Sequence, residues 1–434
     1  MKIAPDGTAP RPAQLTFLAH VDATPHDLEV FETAEVESFE KAWRPDTNVV
    51  VHLQRDPAPL TRRIVSSALE MAFLPVAGAV ALGLFTTSLI PAALGTAAGV
   101  LMGAAGLAAG VHGCAHLIDA ARESILRHEP PWRGTRTFEI GPDSSARIDS
   151  KVGAESPEIE ARPSDLTRFL AANMKKFPAQ VTTVLVGGHG LAWQECAQHS
   201  VTTLRDCLEA SAQQAGRKPD VLVLESCLMS NLESLDILKD TARYAVVSEE
   251  TMGASGMPWP EVLQDLPKRG LTAASFGRRV IDASAKSDQI DTLALIDLQK
   301  IAPLSQAFES MATAVRVAVA KGHGDAVRKA LDGAMSFPKG MEADRSWFDV
   351  RDLGQVTRAL RQGVPDPAVH RATDQVEACL QDAVVASTAT TAYKAASHIS
   401  IQGHEQALDT HDYVQETGFR QWARLLRDLQ EEKA

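Results

Sequence analysis

Two short apolar runs constrain the fold of this chain more than any other feature. Val181-Thr-Thr-Val-Leu-Val-Gly-Gly-His189-Gly190 and Val221-Leu-Val-Leu-Glu225-Ser226-Cys227-Leu-Met229 each read as a buried strand that stops at a potentially reactive side chain. A His and a Cys, each at the carboxyl end of its own strand, can meet above a parallel sheet, which is where open α/β sheets build their sites. The pair has the chemistry of a cysteine nucleophile and a histidine base.

The flanking pattern agrees with such a sheet. Leu15–His20 and Asn48–Leu53 read as buried strands, and Asp27–Trp43 between them has helical spacing. A strand–helix–strand opening predicts parallel strands with helices on the faces. Further strands are expected at Thr135–Ile140 and Ala146–Val152, as a hairpin, and at Tyr244–Ser248 and Thr292–Ile296. Helices are expected from Ser164 to about Phe177, at Thr202–Ala215 with Gly216 as the stop, and at Leu228–Thr241. Beyond about Leu298 the chain reads as mostly helical, with Gln415–Leu429 an amphipathic packing element and one late strand at His398–Ile401.

One segment breaks the pattern. Met71–Val111 contains no Asp, Glu, Lys, Arg or His. A membrane-spanning helix needs about 20 apolar residues, so the run is long enough for two, with Thr86-Thr-Ser-Leu-Ile-Pro91 as the turn. Gly95, Gly99 and Gly103 recur every fourth residue, a spacing that lets helices approach closely in lipid. Arg62 and Arg63 before the run and Arg122 and Arg127 after it put both ends on the cytoplasmic side. A helical hairpin over about residues 64–117 is therefore expected to bind membrane lipid; self-association, a chaperone, or burial within protein is the alternative. The expected organisation is 1–60 as the first part of an α/β domain, 61–132 as the inserted hairpin, 133–300 as the second part carrying the reactive residues, and 301–434 as a mostly helical region.

Charge and cysteine content bound the rest. A formal net charge of −12 disfavours nucleic acid as a partner. Five cysteines without framework spacing fit a reducing compartment. The amino terminus has no apolar signal core, so secretory export is not indicated. His112 and His116 have a zinc-compatible i, i+4 spacing but no third ligand, and no dinucleotide, Walker or EF-hand motif is visible, so no metal or cofactor is expected.

Together, strand-His-Gly followed about 40 residues later by strand-Glu-Ser-Cys resembles the caspase clan, and within it the clostripain-like cysteine peptidases. The resemblance rests on Gly188-His-Gly-Leu-Ala-Trp193, Glu225-Ser-Cys-Leu-Met-Ser-Asn-Leu-Glu233 and Tyr244-Ala-Val-Val-Ser-Glu-Glu-Thr251, on Leu15–Asp22 and Asn48–Asp56, and on weaker echoes at Leu293–Leu298, Trp347–Leu353 and Ile399–Ile401. It implies a caspase-like α/β/α sandwich with a mainly parallel sheet, and endopeptidase action on proteins or peptides. His189 matches the family's catalytic His and Cys227 its nucleophile, with the amides of Gly190 and Cys227 as oxyanion donors. Relatives usually carry Asp two places before the nucleophile, where this chain has Glu225, and an Asp in a later Gly-Asp-Gly turn, where this chain has Ser255. A standard Arg/Lys pocket is therefore not expected unless Glu225, Glu249 or Glu250 supplies the charge. The runner-up reading is a membrane-acting effector or toxin, with the hairpin as the active part and the peptidase fold as scaffold or self-activator.

Overall fold

The computed structural model describes residues 13–23, 38–55, 134–141, 151–156, 163–253, 255–287, 289–338, 349–403 and 410–431. Met1–Arg55 with Thr135–Ala434 forms one compact unit, and Asp56–Gly134 is assigned to another. The expected hairpin at 64–117, His112, His116 and most of the Asp27–Trp43 helix lie outside the described residues. Among the described residues no helix is long and apolar enough to cross a membrane.

The centre is a nine-stranded sheet. Its strands are β1 (Ala13–Ala23), β2 (Thr47–Arg55), β3 (Gly134–Glu139), β4 (Lys151–Ser156), β5 (Ala179–Gly187), β6 (Val221–Glu225), β7 (Tyr244–Val247), β8 (Thr292–Asp297) and β9 (Val384–Ala389), in the spatial order β9-β8-β7-β6-β5-β1-β2-β3-β4. The pairs β2–β1, β1–β5, β5–β6 and β6–β7 are parallel, while β7–β8, β8–β9 and β3–β4 are antiparallel. Parallel strands need crossovers, and helices provide them: α1 (Pro163–Lys176) precedes β5, α2 (Val201–Ala215) joins β5 to β6, and α3 (Leu232–Leu238) joins β6 to β7. After β7 come α4 (Trp259–Gln264) and α5 (Ala273–Ser284); after β8 come α6 (Ile301–Ala318), α7 (Gly324–Gly333), α8 (Leu353–Gly363), α9 (Pro367–Ala383), α10 (Thr410–Thr417) and α11 (Arg420–Glu431).

Alternation along the strands makes three layers. Leu18, Val50, Val184, Val186, Leu222 and Leu224 pack with Leu166 and Leu170 of α1 and Leu204 and Leu208 of α2. The opposite face carries Phe17, whose ring lies 4.8 Å from Trp259 of α4, 5.5 Å from Phe39 and 6.4 Å from Phe276 of α5. Each such pair adds about 0.5–1.5 kcal/mol beyond area burial. The first core runs on without a break through Phe308 of α6, Val356 of α8, Val376 of α9 and Trp422 of α11. This is the mainly parallel α/β sandwich with a helical carboxyl-terminal region that the sequence implies.

Several boundaries differ from the sequence reading. The partner of β3 runs from Lys151 to Ser156, later than the expected Ala146–Val152. The helix expected from Leu228 begins only at Leu232, because Leu228 takes a left-handed φ of 62° and the Asn231 side chain caps the Ser234 amide. The region after Leu298 is less purely helical than expected: β9 extends the main sheet, and Ser336–Phe337, Val350–Asp352 and Ser400–Gln402 form a small sheet of their own. The expected Gln415–Leu429 helix is two helices, α10 and α11, parted by Gly418 at φ 77°.

Candidate active site

The site grows from the adjacent ends of β5 and β6. These strands are in parallel register with Gly187 beside Glu225, so the residues that follow leave the sheet at the same level. After β5 the chain makes a tight three-stranded ribbon, Gly190–Leu191, Glu195–Cys196 and His199–Ser200, before entering α2. After β6 it turns through Ser226 and Cys227 towards α3.

Gly190 is the point of contact. A Cβ placed there would stand 2.8 Å from the Cys227 nitrogen and 2.9 Å from the Ser226 Cβ, and closer still to the Cys227 carbonyl oxygen. Only a residue without a side chain lets the two backbones touch in this way. The peptide after His189 is thereby laid directly on the peptide of Cys227. His189 itself is exposed, and its carbonyl accepts the Ala197 N–H at 2.8 Å.

Cys227 is half-buried. Its Sγ accepts the Met252 N–H at 3.4 Å. Burial pushes the thiol pKa up, the Glu250 charge adds to that, and the Met252 bond opposes it. A thiol raised in this way would need a base to act as a nucleophile. The buried Cys196 donates to Ser226 Oγ at 3.4 Å. Burial raises that thiol to about 12, so it stays inert. All four described cysteines carry free thiols.

The carboxylates sort into different surroundings. Glu225 is buried; its Oε1 accepts the Met257 N–H and its Oε2 the Trp259 indole N–H at 3.1 Å. A Cβ on Gly256 would lie 2.6 Å from that Oε1, so the extra methylene of Glu225 carries its head onto the Gly253–Gly256 turn. That turn closes through Gly256 N–H to Gly253 O at 3.0 Å and presents Ser255 to solvent. Glu250 is held by the Thr251 N–H at 2.8 Å and by the Tyr393 hydroxyl at 2.8 Å. Glu249 points elsewhere: burial, and then the nearby Asp352 charge, raise its carboxyl well above the usual range. Glu225 thus reaches the turn that carries Ser255, the Glu250 charge acts on Cys227, and Glu249 belongs to a separate buried cluster.

Sequence reasoning missed a set of buried histidines under the ribbon. His20 of β1 lies 5.4 Å from His52 of β2 and 5.9 Å from His199, centroid to centroid. Burial lowers all three, His52 to about 4. Among the described residues no group of three or more His, Cys, Asp or Glu is disposed to hold a metal ion.

Comparison with known proteins gives the family and the fold. The profile of the Clostripain family matches residues 152–410. An inactive zymogen C11 protease from Parabacteroides distasonis shares the fold with a TM-score of 0.57 at 12% identity, over 94% of this chain and 99% of that one. A secreted C11 cysteine protease from Bacteroides thetaiotaomicron gives 0.52 at 14% identity, over 94% and 100%. A secreted C11 cysteine protease from the same organism in complex with an irreversible peptide inhibitor gives 0.56 at 10% identity, over 97% and 100%. At these identities the structural likeness speaks for the fold, and the family profile for the membership. Among curated proteins nothing matches the chain.

Proposed function

The chain belongs to the clostripain family of cysteine proteases, and on that premise we propose that it is an endopeptidase working through Cys227 and His189. The observation that carries this reading is the contact of Gly190 with Cys227, which sets the histidine-bearing peptide against the thiol-bearing one. His189 would take the Cys227 proton as sulfur attacks the scissile carbonyl, then deliver it to the leaving amine. The amides of Gly190 and Cys227 are the donors this reading assigns to the oxyanion, supported by the close approach of the two peptides. Water then hydrolyses the thioester, with His189 again as base.

The test uses Cys227→Ala and His189→Ala. Each is expected to abolish cleavage of peptide substrates, by several powers of ten, without unfolding the protein. Near-wild-type turnover by either folded variant would refute the assignment.

The pocket reading follows from the carboxylates. At the Gly253–Gly256 turn Glu225 is the carboxylate in place, and it already accepts two N–H groups. Glu250 is engaged with Thr251 and Tyr393, and Ser255 brings no charge. A basic P1 side chain is therefore expected to be favoured only modestly. Comparing P1 Arg, Lys, Ala, Leu and Asp peptides tests this. An overwhelming Arg preference that Glu225→Gln removes would show that Glu225 alone makes a full basic pocket.

We further propose that the 61–132 insertion anchors the peptidase domain, formed from 1–60 and 133–300 with the helical region 301–434 behind it, to a membrane. The support is the uncharged run Met71–Val111. Replacing residues 64–117 by a Gly/Ser linker should release the protein from the membrane fraction with its peptidase activity intact. Full-length protein that stays out of the membrane fraction, without detergent or partner, refutes the anchor.

A further inference from the structure

The loop that carries His189 is held by two residues to which the site described above gives no role, Asp22 and Gln198. We propose that Asp22 and Gln198 form a clamp that positions His189, which makes Asp22, at the end of β1, a positioning residue for the reaction. The proposal rests on the reading of His189 as the acid–base partner.

The geometry starts in the sheet. β1 and β5 are parallel with Val21 beside Gly187, so Asp22 arrives next to Gly188, the residue before His189. Gly188 has a φ of +144°, and a Cβ on it would lie 3.1 Å from the Asp22 Cβ and 3.2 Å from the Ala197 Cβ. Asp22 and Ala197 together therefore close the space beside Gly188, just before His189. Asp22 is fully buried, yet both of its oxygens accept the Gln198 side-chain amide, at 3.0 and 2.9 Å. Gln198 is exposed, so its head is turned inward to reach this partner.

The segment it grips is strained. Ala197 and Gln198 both take left-handed conformations, at φ 49° and 61°. Non-glycine residues occupy that region in succession only where their surroundings enforce it. Here the enforcement comes from the Asp22–Gln198 bonds on one side and the Gly190–Cys196 strand pairing on the other. Between them the Ala197 N–H reaches the His189 carbonyl at 2.8 Å. The chain of contacts runs from Asp22 through Gln198 and Ala197 to the backbone of His189. Asp22 also faces the buried His199, on whose ring its charge acts. A fixed acceptor that holds the amide in one orientation is what the arrangement gains.

The experiment uses the full chain with Gln198→Ala, Asp22→Ala and Asp22→Asn, each also built in a His189→Ala background. Gln198→Ala removes an exposed side chain and keeps the fold, so it stands even if Asp22→Ala misfolds. Steady-state kinetics on a peptide that the wild type cleaves should show kcat lowered about tenfold or more, with KM within about threefold, since misplacing a catalytic group by an ångström costs powers of ten in rate. Asp22→Asn keeps an oxygen for Gln198 and should recover most of kcat. In the His189→Ala background, adding Gln198→Ala should leave the rate of Cys227 alkylation by iodoacetamide unchanged, because effects that act through one residue do not add once it is gone. A folded Gln198→Ala protein with wild-type kcat overturns the clamp. So does an equal further change in alkylation without His189, which would mark general loosening of the site. If His189→Ala itself keeps wild-type kcat, the acid–base reading falls and takes the clamp with it. If His189→Ala is inactive while Gln198→Ala and Asp22→Ala are not, the clamp alone falls.

Discussion

Gly190→Ala is the most demanding test of the site. The backbone at Gly190 lies outside the left-handed region, so alanine suffers no conformational penalty of its own there, and the whole effect comes from the contact. The new methyl would stand 2.8 Å from the Cys227 nitrogen and 2.9 Å from the Ser226 Cβ, where ordinary contacts begin at 3.4 Å. The nearest obstacles include the backbone of Cys227, which cannot swing aside as a flexible side-chain tip can. The two peptides must part by roughly half an ångström or more, a displacement on the scale at which positioning errors cost about a hundredfold in rate. A hundredfold corresponds to about 2.7 kcal/mol of transition-state stabilisation. The stability loss should be smaller relative to the whole, about 1–3 kcal/mol as for other overpacked sites, because the ribbon can move outward as a unit. The assay is kcat/KM on a peptide substrate together with thermal unfolding. Gly216→Ala serves as the comparison: it sits at φ +75° as the C-cap of α2 with nothing within 4 Å of a Cβ, so it should cost stability by backbone strain and leave turnover alone. If Gly190→Ala turns over within about threefold of wild type while remaining folded, the contact between the two peptides is not what organises the site.

Two further outcomes follow from buried titratable groups. In the free enzyme, alkylation of Cys227 should rise with pH with a midpoint above the ordinary thiol value of about 8.5, since burial and then the Glu250 charge raise that thiol; Glu250→Gln should bring the midpoint down, and a wild-type midpoint below 7 would contradict the raised thiol. His52 is held neutral by burial, with its pKa lowered to about 4. Below about pH 6.5 the unfolded chain takes up that proton while the folded one does not, so stability is complete above pH 6.5 and declines as pH falls towards 4. A shift of this size is worth about 3 kcal/mol over that interval. Melting temperatures of wild type and His52→Gln measured from pH 7 to pH 4 should therefore converge as the pH drops, and parallel curves would show that His52 is not the group responsible.

What the sequence made legible was whatever is written locally. β1, β5 and β6 are uninterrupted apolar runs, and each was placed within a few residues of its observed bounds. His189 and Cys227 stood out because each ends such a run. The start of α3 was misplaced although its signal was present: Leu228 and Met229 continue the apolar spacing of the helix, but Asn231 is the residue able to cap it. Gly418 gave a similar warning inside the Gln415–Leu429 pattern, and its left-handed conformation does divide α10 from α11. β9 carried no comparable mark. Val384-Val-Ala-Ser-Thr-Ala389 is a half-exposed strand at the sheet edge, where pairing with β8 rather than its own periodicity decides its state.

The parts of the site that stayed hidden are hydrogen bonds between distant stretches. Glu225 was read as a pocket charge, yet its position depends on Met257 and Trp259, 32 and 34 residues further on. Glu250 meets Tyr393 across 143 residues, and Asp22 meets Gln198 across 176. Nothing in the composition around Asp22 distinguishes a strand-end carboxylate exposed to solvent from one gripping a loop. The register of β1 on β5 makes the difference, because it sets Val21 beside Gly187 and so delivers Asp22 to the peptide before His189. A local motif can therefore single out the two candidate groups, while the placement of the loops that carry them is set by strand register and by the few long-range hydrogen bonds that the register permits.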